Sequence, residues 1–234
     1  MSVTSTDPII YAVGDIHGHS EQLDDLLAYI ARDAEQYQGR PIEVVFVGDH
    51  VDRGPDSRGV IARLRNWTLP FTPTFLMGNH EQLLVQTIMM GPDADFGDNM
   101  GQAETFESYR GHEEDMARDL HWMDQLPLTK LIETQGQKYL FVHAGIVPGR
   151  TLDEQPDRAL IWIREEFLDY EGDHGFVVVH GHTPNGSGWP ESKANRINVD
   201  SGVFFSGRLT CVVLGDGKPR FLHAEGRAGW GDDV

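Results

Sequence analysis

Short apolar runs alternate with polar turns bounded by glycine along the first third of the chain. Residues 9–13 are apolar throughout, and residues 14–18, which follow them, carry Asp15 and His17 between two glycines. Apolar side chains then recur at helical spacing across residues 23–31. This pattern predicts a buried strand, a tight turn and an amphipathic helix in succession.

The same arrangement occurs twice more. Residues 44–47 are apolar and lead into the polar turn 48–54, after which a helical pattern begins near Ser57, a possible N-cap. Residues 74–77 lead into Gly-Asn-His-Glu at 78–81 and a further apolar helix. Three successive strand–turn–helix units predict parallel strands joined by right-handed crossovers.

Later segments do not repeat the strand–turn–helix pattern. Residues 91–126 carry ten acidic side chains and two arginines, and we interpret them as an inserted helical cap or lid with an acidic, solvated surface. One helix is predicted near residues 159–170, and the Gly- and Asp-rich tail 226–234 is expected to be loose. Strands in a second, more antiparallel sheet are predicted at residues 139–142, 176–179, 196–199, 209–214 and 220–223.

Composition narrows the class of protein. The chain has 234 residues, a length that predicts one α/β domain spanning residues 1–234. Its formal net charge of −18 makes nucleic acid and anionic membranes unfavourable partners. No apolar run approaches the roughly 20 residues that span a bilayer. Residues 1–8 lack the pattern of a secretory signal and Cys211 is the single cysteine, so we expect a cytoplasmic protein of undetermined oligomeric state.

Side chains that bind metal ions follow five of the predicted strands. In an open α/β sheet, the turns just past the carboxyl ends of the strands converge on one crevice, so these side chains are expected to meet. Carboxylate, amide oxygen and imidazole together favour Mn²⁺, Fe or Zn²⁺ over an all-oxygen Ca²⁺ site or a thiolate-rich zinc site. Asp49 is central in chain order, and a carboxylate can bridge two ions about 3.5–4 Å apart. The candidate ligands are Asp15, His17, Asp49, Asn79, His143 and His182.

Five motifs occur in one order along most of the chain. They are Gly-Asp-Ile-His-Gly at 14–18, Gly-Asp-His-Val-Asp-Arg-Gly at 48–54, Gly-Asn-His-Glu at 78–81, His-Ala-Gly at 143–145 and Gly-His-Thr at 181–183. This series resembles the metal-dependent phosphoprotein phosphatases of the serine/threonine type, especially their compact bacterial and phage members, within the calcineurin-like metallophosphoesterases. The resemblance implies a four-layer α/β/β/α sandwich with metals at the strand ends.

The resemblance also implies roles for individual residues. Two divalent ions, Mn²⁺ first and Fe or Zn²⁺ as alternatives, would share Asp49, and a hydroxide bridging them would attack the phosphorus in line. Arg53 and Arg164 would clamp the phosphoryl oxygens, which suits their guanidinium geometry. His80 would protonate the leaving group with Asp52 orienting it. One ion would take Asp15, His17 and Asp49, the other Asp49, Asn79, His143 and His182, with Asn79 also assigned to substrate binding.

The resemblance leaves the substrate open. Phosphorylated proteins or peptides are the first expectation, with serine and threonine phosphomonoesters ahead of phosphotyrosine. Dinucleoside polyphosphates and other small phosphoesters are the alternative, against which His17 argues because symmetrical dinucleoside tetraphosphatases commonly carry Gln there. A metal-stabilised binding protein without activity is the third possibility, and the intact Asp52, Arg53, His80 and Arg164 argue against it. His50 stands where many relatives have Tyr or Leu and would add an imidazole near the metals.

Overall fold

The computed structural model describes residues 6–90 and 100–227, which form two five-stranded sheets and the helices that cover them. The strands are β1 Ile9–Val13, β2 Ile42–Phe46, β3 Thr72–Phe75, β4 Thr129–Thr134, β5 Gln137–Val142, β6 Val177–His180, β7 Glu191–Ser192, β8 Arg196–Asn198, β9 Arg208–Leu214 and β10 Arg220–Glu225. The helices are α1 Ser20–Ala34, α2 Ser57–Arg65, α3 Asn79–Met90, α4 Gln102–Ser108, α5 Glu113–Met123, α6 Asp157–Trp162, α7 Glu165–Leu168 and α8 Val203–Ser206. Short 3₁₀ turns cover Glu35–Tyr37 and Leu152–Glu154.

The first sheet has the strand order β10-β9-β1-β2-β3. Strands β1, β2 and β3 are parallel, which confirms the crossover arrangement expected from the three repeated units. Strand β9 returns antiparallel to β1, and β10 pairs antiparallel with β9. Strand β1 is therefore central, with Tyr11 paired to Val44 on one side and to Val213 on the other.

Strand β1 is apolar throughout because both of its faces are buried. Ile9 and Tyr11 point outward into a cluster that includes Leu23 and Leu26 of α1. Ile10 lies on the other face of the strand and points toward the second sheet. A continuous apolar run is the pattern that such a doubly covered strand requires.

The second sheet has the order β4-β5-β6-β8-β7 and is mixed. Strands β5, β6 and β8 are parallel, while β4 and β7 pair antiparallel at the two edges. The prediction of a more antiparallel second sheet is therefore wrong for its central strands. Strands β9 and β10, which were predicted in the second sheet, belong to the first. Strand β4 was not predicted, because at this edge Leu131 and Glu133 face solvent and interrupt the apolar pattern.

Three apolar clusters define the layers. Residues of both sheets, such as Ile10 of β1 and Phe141 of β5, meet in the cluster between the sheets. Helices α1 and α2 cover the outer face of the first sheet. Leu140 and Val142 pack with Phe167 of α7 on the outer face of the second. This confirms the α/β/β/α sandwich, and none of the helices in the described part of the chain is long and apolar enough to cross a membrane.

Two helix predictions need correction. The helix expected near residues 159–170 is two short helices, because Ile163 and Arg164 adopt non-helical backbone angles between α6 and α7. Helix α2 is capped by Asp56, whose carboxylate accepts a hydrogen bond from the backbone of Gly59 at 2.9 Å. The hydroxyl of Ser57 is directed elsewhere, toward Thr105.

The acidic segment is packed against the domain on one side. Met123 of α5 lies in a buried cluster with Val51, Ile61 and Leu84. The expectation of a solvated surface therefore holds for its outer face, where Glu113 and Glu114 of α5 are exposed. Residues 91–99 of this segment, and all but the first two residues of the tail 226–234, lie outside the described residues.

Candidate metal centre

The predicted ligands lie at the carboxyl ends of five strands, in loops or, for Asn79, at the start of α3. The loops follow β1 and β2 in the first sheet, β3 beside them, and β5 and β6 in the second, so the crevice joins both sheets. Each of these side chains is at least nine-tenths buried, which places them in one enclosed cluster away from bulk water. The residues are Asp15, His17, Asp49, Asn79, His143 and His182.

Backbone strain is concentrated at these loops. Six non-glycine residues in the described part of the chain have positive φ, and five of them are predicted site residues. Left-handed backbone at a non-glycine residue costs about 1–3 kcal/mol, so the surrounding structure must hold these conformations in place. The five are His17 at 44°, Asp49 at 52°, Asp52 at 71°, Arg53 at 69° and His182 at 66°.

Asp49 lies between two groups of ligand atoms. His17 Nε2 is 3.6 Å from its Oδ2, and His143 Nε2 is 3.3 Å from its Oδ1. One group comprises His17, Asp49 and His80, the other Asp49, His143 and His182, and within each group the ligand atoms lie within 4.8 Å of one another. Each carboxylate oxygen of Asp49 therefore faces a different group, as a bridging ligand requires.

Asn79 and Asp15 both contact residues of the second group. The Oδ1 atom of Asn79 lies 2.9 Å from His143 Nε2 and 2.8 Å from His182 Nδ1. Asp15 Oδ2 accepts a hydrogen bond from the backbone of His182 at 3.0 Å. Its other oxygen, although buried, has no hydrogen-bond partner among the described residues. A buried carboxylate oxygen without a donor is the state that a bound cation relieves.

Electrostatics at the centre also favour a cation. Burial, with the nearby carboxylates of Asp200 and Asp49, raises the pKa of Asp15 well above its ordinary value. Burial, together with His143, lowers the pKa of His182 to about 2, so this imidazole is neutral and able to ligate. Crowded carboxylates beside imidazoles form a donor set that fits divalent ions such as Mn²⁺, Fe²⁺ or Zn²⁺.

Outer hydrogen bonds fix which imidazole nitrogen faces the centre. His17 Nδ1 lies 2.8 Å from the carbonyl oxygen of Val51, and His143 Nδ1 lies 3.0 Å from that of Val47. With Nδ1–H donating to a carbonyl, Nε2 of each ring is the nitrogen that faces the centre and binds a cation once it has no proton. Both Nε2 atoms point toward Asp49.

The Glu81 carboxylate organises the loop that carries Asp49. It is fully buried and accepts four backbone hydrogen bonds, at 2.9 Å from Asp49, 2.7 Å from His50, 3.2 Å from Val51 and 2.9 Å from Gly78. These bonds connect the turns after β2 and β3. Glu81 therefore holds the left-handed backbone of Asp49 without contacting the ligand atoms.

His80 borders the first group but has other partners. Its Nδ1 lies 2.8 Å from Asp52 Oδ2, and its Nε2 lies 3.1 Å from Arg53 Nη2. A guanidinium at Nε2 disfavours a metal cation at the same atom. This arrangement is that of an oriented acid–base group beside a metal centre.

Two arginines lie at the border of the centre. The Arg53 guanidinium lies over the ring of Phe204, at 4.3 Å from its centroid. Arg164 is exposed, and its Nη1 lies 3.4 Å from the hydroxyl of Thr183, the residue after His182. Both guanidinium groups therefore border the crevice from opposite loops and can receive an anion.

A model of the family described as "Calcineurin-like phosphoesterase" matches residues 9–216. The chain belongs to this family. It is thus a phosphoesterase of the type that uses a dinuclear divalent metal site, and the two ligand groups agree with that. Divalent ions bound here supply Lewis-acid stabilisation of phosphoryl oxygens and lower the pKa of water.

The proteins to which this phosphoesterase is similar are named for different substrates. Serine/threonine-protein phosphatase 1 of Salmonella typhimurium is 29% identical, over 88% of this chain and 91% of that protein. The symmetrical bis(5'-nucleosyl)-tetraphosphatase of Janthinobacterium sp. is 33% identical, over 93% of this chain and 68% of that protein. A solved serine/threonine phosphatase from Saccharomyces cerevisiae, 18% identical, has the same fold with a TM-score of 0.62 over 99% of this chain and 84% of that one.

Some residues near the centre of the phosphoesterase were not predicted. Asp200 is buried close enough to raise the pKa of Asp15, and burial raises its own pKa to about 6. It follows β8 in a Gly-bounded turn, which is the signal that singled out the other ligands. Thr105 and Phe204 carry no comparable signal in the sequence.

The extra imidazole expected from His50 lies apart from the two groups. His50 is fully buried, its Nε2 lies 3.1 Å from the carbonyl oxygen of Leu76, and neither ligand group found in the described residues contains it. His180, two residues before His182, packs edge-on against Phe167 and has its pKa lowered to about 3 by burial. Both are neutral core histidines.

Proposed function

We propose that this phosphoesterase hydrolyses phosphomonoesters in proteins, with phosphoserine and phosphothreonine ahead of phosphotyrosine. The observation that carries this proposal is the buried contact between His80 and Asp52 beside the metal centre. An alkoxide leaving from a phosphomonoester is strongly basic and requires a proton, whereas a nucleotide leaving from an anhydride is weakly basic. A positioned acid therefore contributes most when the substrate is an alkyl phosphomonoester.

The proposed roles follow from the contacts. Asp15, His17 and Asp49 hold one divalent ion, and Asp49, Asn79, His143 and His182 hold the other, with Mn²⁺ as the first candidate. Arg53 and Arg164 bind the phosphoryl oxygens, with Asn79 beside them. A phosphoryl group that takes the Arg53 guanidinium frees Nε2 of His80 to hold a proton, while Asp52 keeps Nδ1–H in place. The leaving oxygen then receives the Nε2 proton.

Dinucleoside polyphosphate hydrolysis is the second candidate. The observation in its favour is the 33% identity to a protein named as a bis(5'-nucleosyl)-tetraphosphatase. The buried acid argues for monoesters over anhydrides, and the position of His17 within a ligand group is consistent with that order. A binding protein without activity is the least favoured function, because it would not use the Asp52–His80 pair or the arginines.

We propose that residues 1–234 form a single domain in which residues 91–126 are inserted as a cap or lid. We further propose that the protein acts on phosphorylated proteins in the cytoplasm. The net charge of −18 continues to disfavour nucleic acid and anionic membranes as partners. An acidic outer face on the inserted helices favours substrates with basic residues around the phosphorylated side chain.

The test is a direct comparison of substrates. Protein loaded with Mn²⁺ is assayed on phosphoserine, phosphothreonine and phosphotyrosine peptides and on a diadenosine polyphosphate, with a chelated sample as control. We expect metal-dependent release of phosphate from the peptides at higher kcat/KM than cleavage of the nucleotide. Cleavage of the nucleotide alone would retain the metal centre and overturn the proposed substrate.

A further inference from the structure

Thr105 lies in the inserted helix α4, yet its side chain reaches the acid group of the centre. It is fully buried, and its Oγ1 donates to Asp52 Oδ1 at 2.7 Å. The same Oγ1 accepts a hydrogen bond from the backbone of Asp52 at 2.9 Å and lies 2.8 Å from the hydroxyl of Ser57. Thr105 therefore contacts both the backbone and the carboxylate of Asp52.

The directions of these hydrogen bonds follow from the number of protons. A threonine hydroxyl has one proton, which Thr105 gives to Asp52 Oδ1. The bond between Ser57 and Thr105 must then use the serine proton, so the hydroxyls form a chain from Ser57 to Thr105 to Asp52. The chain ends at a carboxylate, where a hydroxyl donor is worth more than at a neutral acceptor.

Both carboxylate oxygens of Asp52 have a hydrogen-bond partner. Oδ1 accepts from Thr105 at 2.7 Å, and Oδ2 lies 2.8 Å from His80 Nδ1. A donor on each oxygen fixes the rotation of the carboxylate about its last bond, which is otherwise a soft torsion. The backbone of Asp52, with φ of 71°, is held by the hydroxyls of Thr105 and Ser57.

We propose that Thr105 is a positioning residue for the acid His80. It orients Asp52 so that Oδ2 meets Nδ1 of His80, and this in turn directs Nε2 toward the leaving oxygen. The inference rests on the acid role given to His80 in the proposed function. The same segment also holds Arg53, whose backbone N–H donates to the carbonyl of Gly101 at 3.0 Å. The inserted segment is therefore a part of the catalytic apparatus.

The test compares Thr105→Val with Thr105→Ser. Valine keeps the shape and removes the hydroxyl, while serine keeps the hydroxyl. For Thr105→Val we expect kcat on a phosphoserine peptide to fall roughly 10- to 100-fold, the usual effect of losing an outer hydrogen-bond partner, with KM little changed. Thr105→Ser is expected to restore most of the loss.

Leaving-group dependence separates positioning from a structural role. p-Nitrophenyl phosphate releases a weakly basic phenolate that requires little proton donation, so Thr105→Val should affect it less than the peptide. A purely structural role would lower both turnovers by the same factor and overturn the inference. An unchanged kcat on the peptide would also overturn it.

A double variant distinguishes this inference from the proposed function. If His80→Asn keeps full turnover, the acid role itself fails. If His80→Asn lowers turnover, adding Thr105→Val should lower turnover little further, because both substitutions act through the His80 acid group. If Thr105→Val lowers turnover as much in the His80→Asn variant as in the unsubstituted protein, the inference is overturned.

If Thr105→Val does not fold, Ser57→Ala is the second test, because it removes the hydroxyl that donates to Thr105. Ser57→Ala must lower turnover of the peptide more than turnover of p-nitrophenyl phosphate, and equal effects on the two substrates overturn the inference.

Discussion

His80 and Asp52 lie 28 residues apart in the chain, and Nδ1 of the imidazole is 2.8 Å from Oδ2 of the carboxylate. Both side chains are fully buried. A carboxylate at Nδ1 fixes the tautomer and stabilises the ring when Nε2 is protonated. In the proposed mechanism, the pair supplies a proton at one defined atom beside the metal centre.

His80→Asn should lower kcat on phosphoserine peptides by about 10² or more, because it removes the acid, while metal binding stays intact. Steady-state kinetics and the metal content of the purified variant measure the two effects. His121→Asn, a change at an exposed histidine of α5, is the matched control and should leave both unchanged. Full activity in His80→Asn would show that the assignment of the acid is wrong.

Gly181→Ala should weaken metal binding. A Cβ at this position would lie well inside van der Waals contact with Asp15 Oδ1, so the carboxylate would have to move. We expect metal affinity to fall roughly 10- to 100-fold, as for other changes that displace a ligand's support. Gly186→Ala, where an added Cβ meets no atom within 4 Å among those described, is the control, and isothermal titration calorimetry is the measurement. Equal affinities in the two variants would contradict the close packing.

Glu81→Gln should destabilise the fold and weaken the metal centre together. The amide nitrogen of glutamine cannot accept, so two of the four backbone N–H groups around Glu81 would face a donor. Losing buried acceptors of this kind costs about 1–3 kcal/mol each. Denaturant unfolding of the metal-free protein gives the change, with the exposed Glu133→Gln as control. The prediction fails if the two variants unfold at the same midpoint.

Metal affinity should rise with pH. Burial and neighbouring carboxylates raise the pKa of Asp15, so the metal-free protein keeps a proton there above the ordinary range of a carboxyl group. Although burial opposes it, Asp49 raises the pKa of His143, which likewise keeps its proton longer. A cation must displace these protons, so affinity is lost as pH falls and regained as pH rises through the raised pKa values.

Calorimetry in buffers of different ionisation enthalpy counts the protons released on metal binding. Release should be largest at acidic pH, where Asp15 and His143 are protonated before binding. Asp200→Asn removes a charge that raises the pKa of Asp15, so this variant should release fewer protons. Metal binding without proton release across the acidic range would contradict the prediction.

The clustering of the candidate ligands was predictable because each follows an apolar strand. The repeated strand-to-turn pattern identifies the strand ends, and the topology of parallel sheets brings those ends together. Asp49 and His143 therefore meet although they lie on strands of different sheets, 3.3 Å apart between Oδ1 and Nε2. The roles of individual residues required the resemblance to a known family, since spacing alone does not distinguish a ligand from an acid.

Contacts that depend on the docking of the inserted segment were not predictable. Thr105 lies 53 residues from Asp52, in a short helix that has no motif and whose buried residues, Gln102 and Thr105, are polar. The break at Arg164 was also missed, because the apolar spacing of α6 continues into α7 while the backbone leaves the helix between them. In both cases tertiary packing decides what local propensity leaves open.

The central position of β1 has a consequence for synthesis of the chain. Strand β1 pairs with β2 on one edge, but its other edge pairs with β9, and almost 200 residues of sequence separate the two strands. At about 5–20 residues per second, a ribosome takes roughly 10–40 s to make that span. Throughout that interval the nascent polypeptide carries β1 with one uncovered edge, so chaperone binding to this edge is expected during translation.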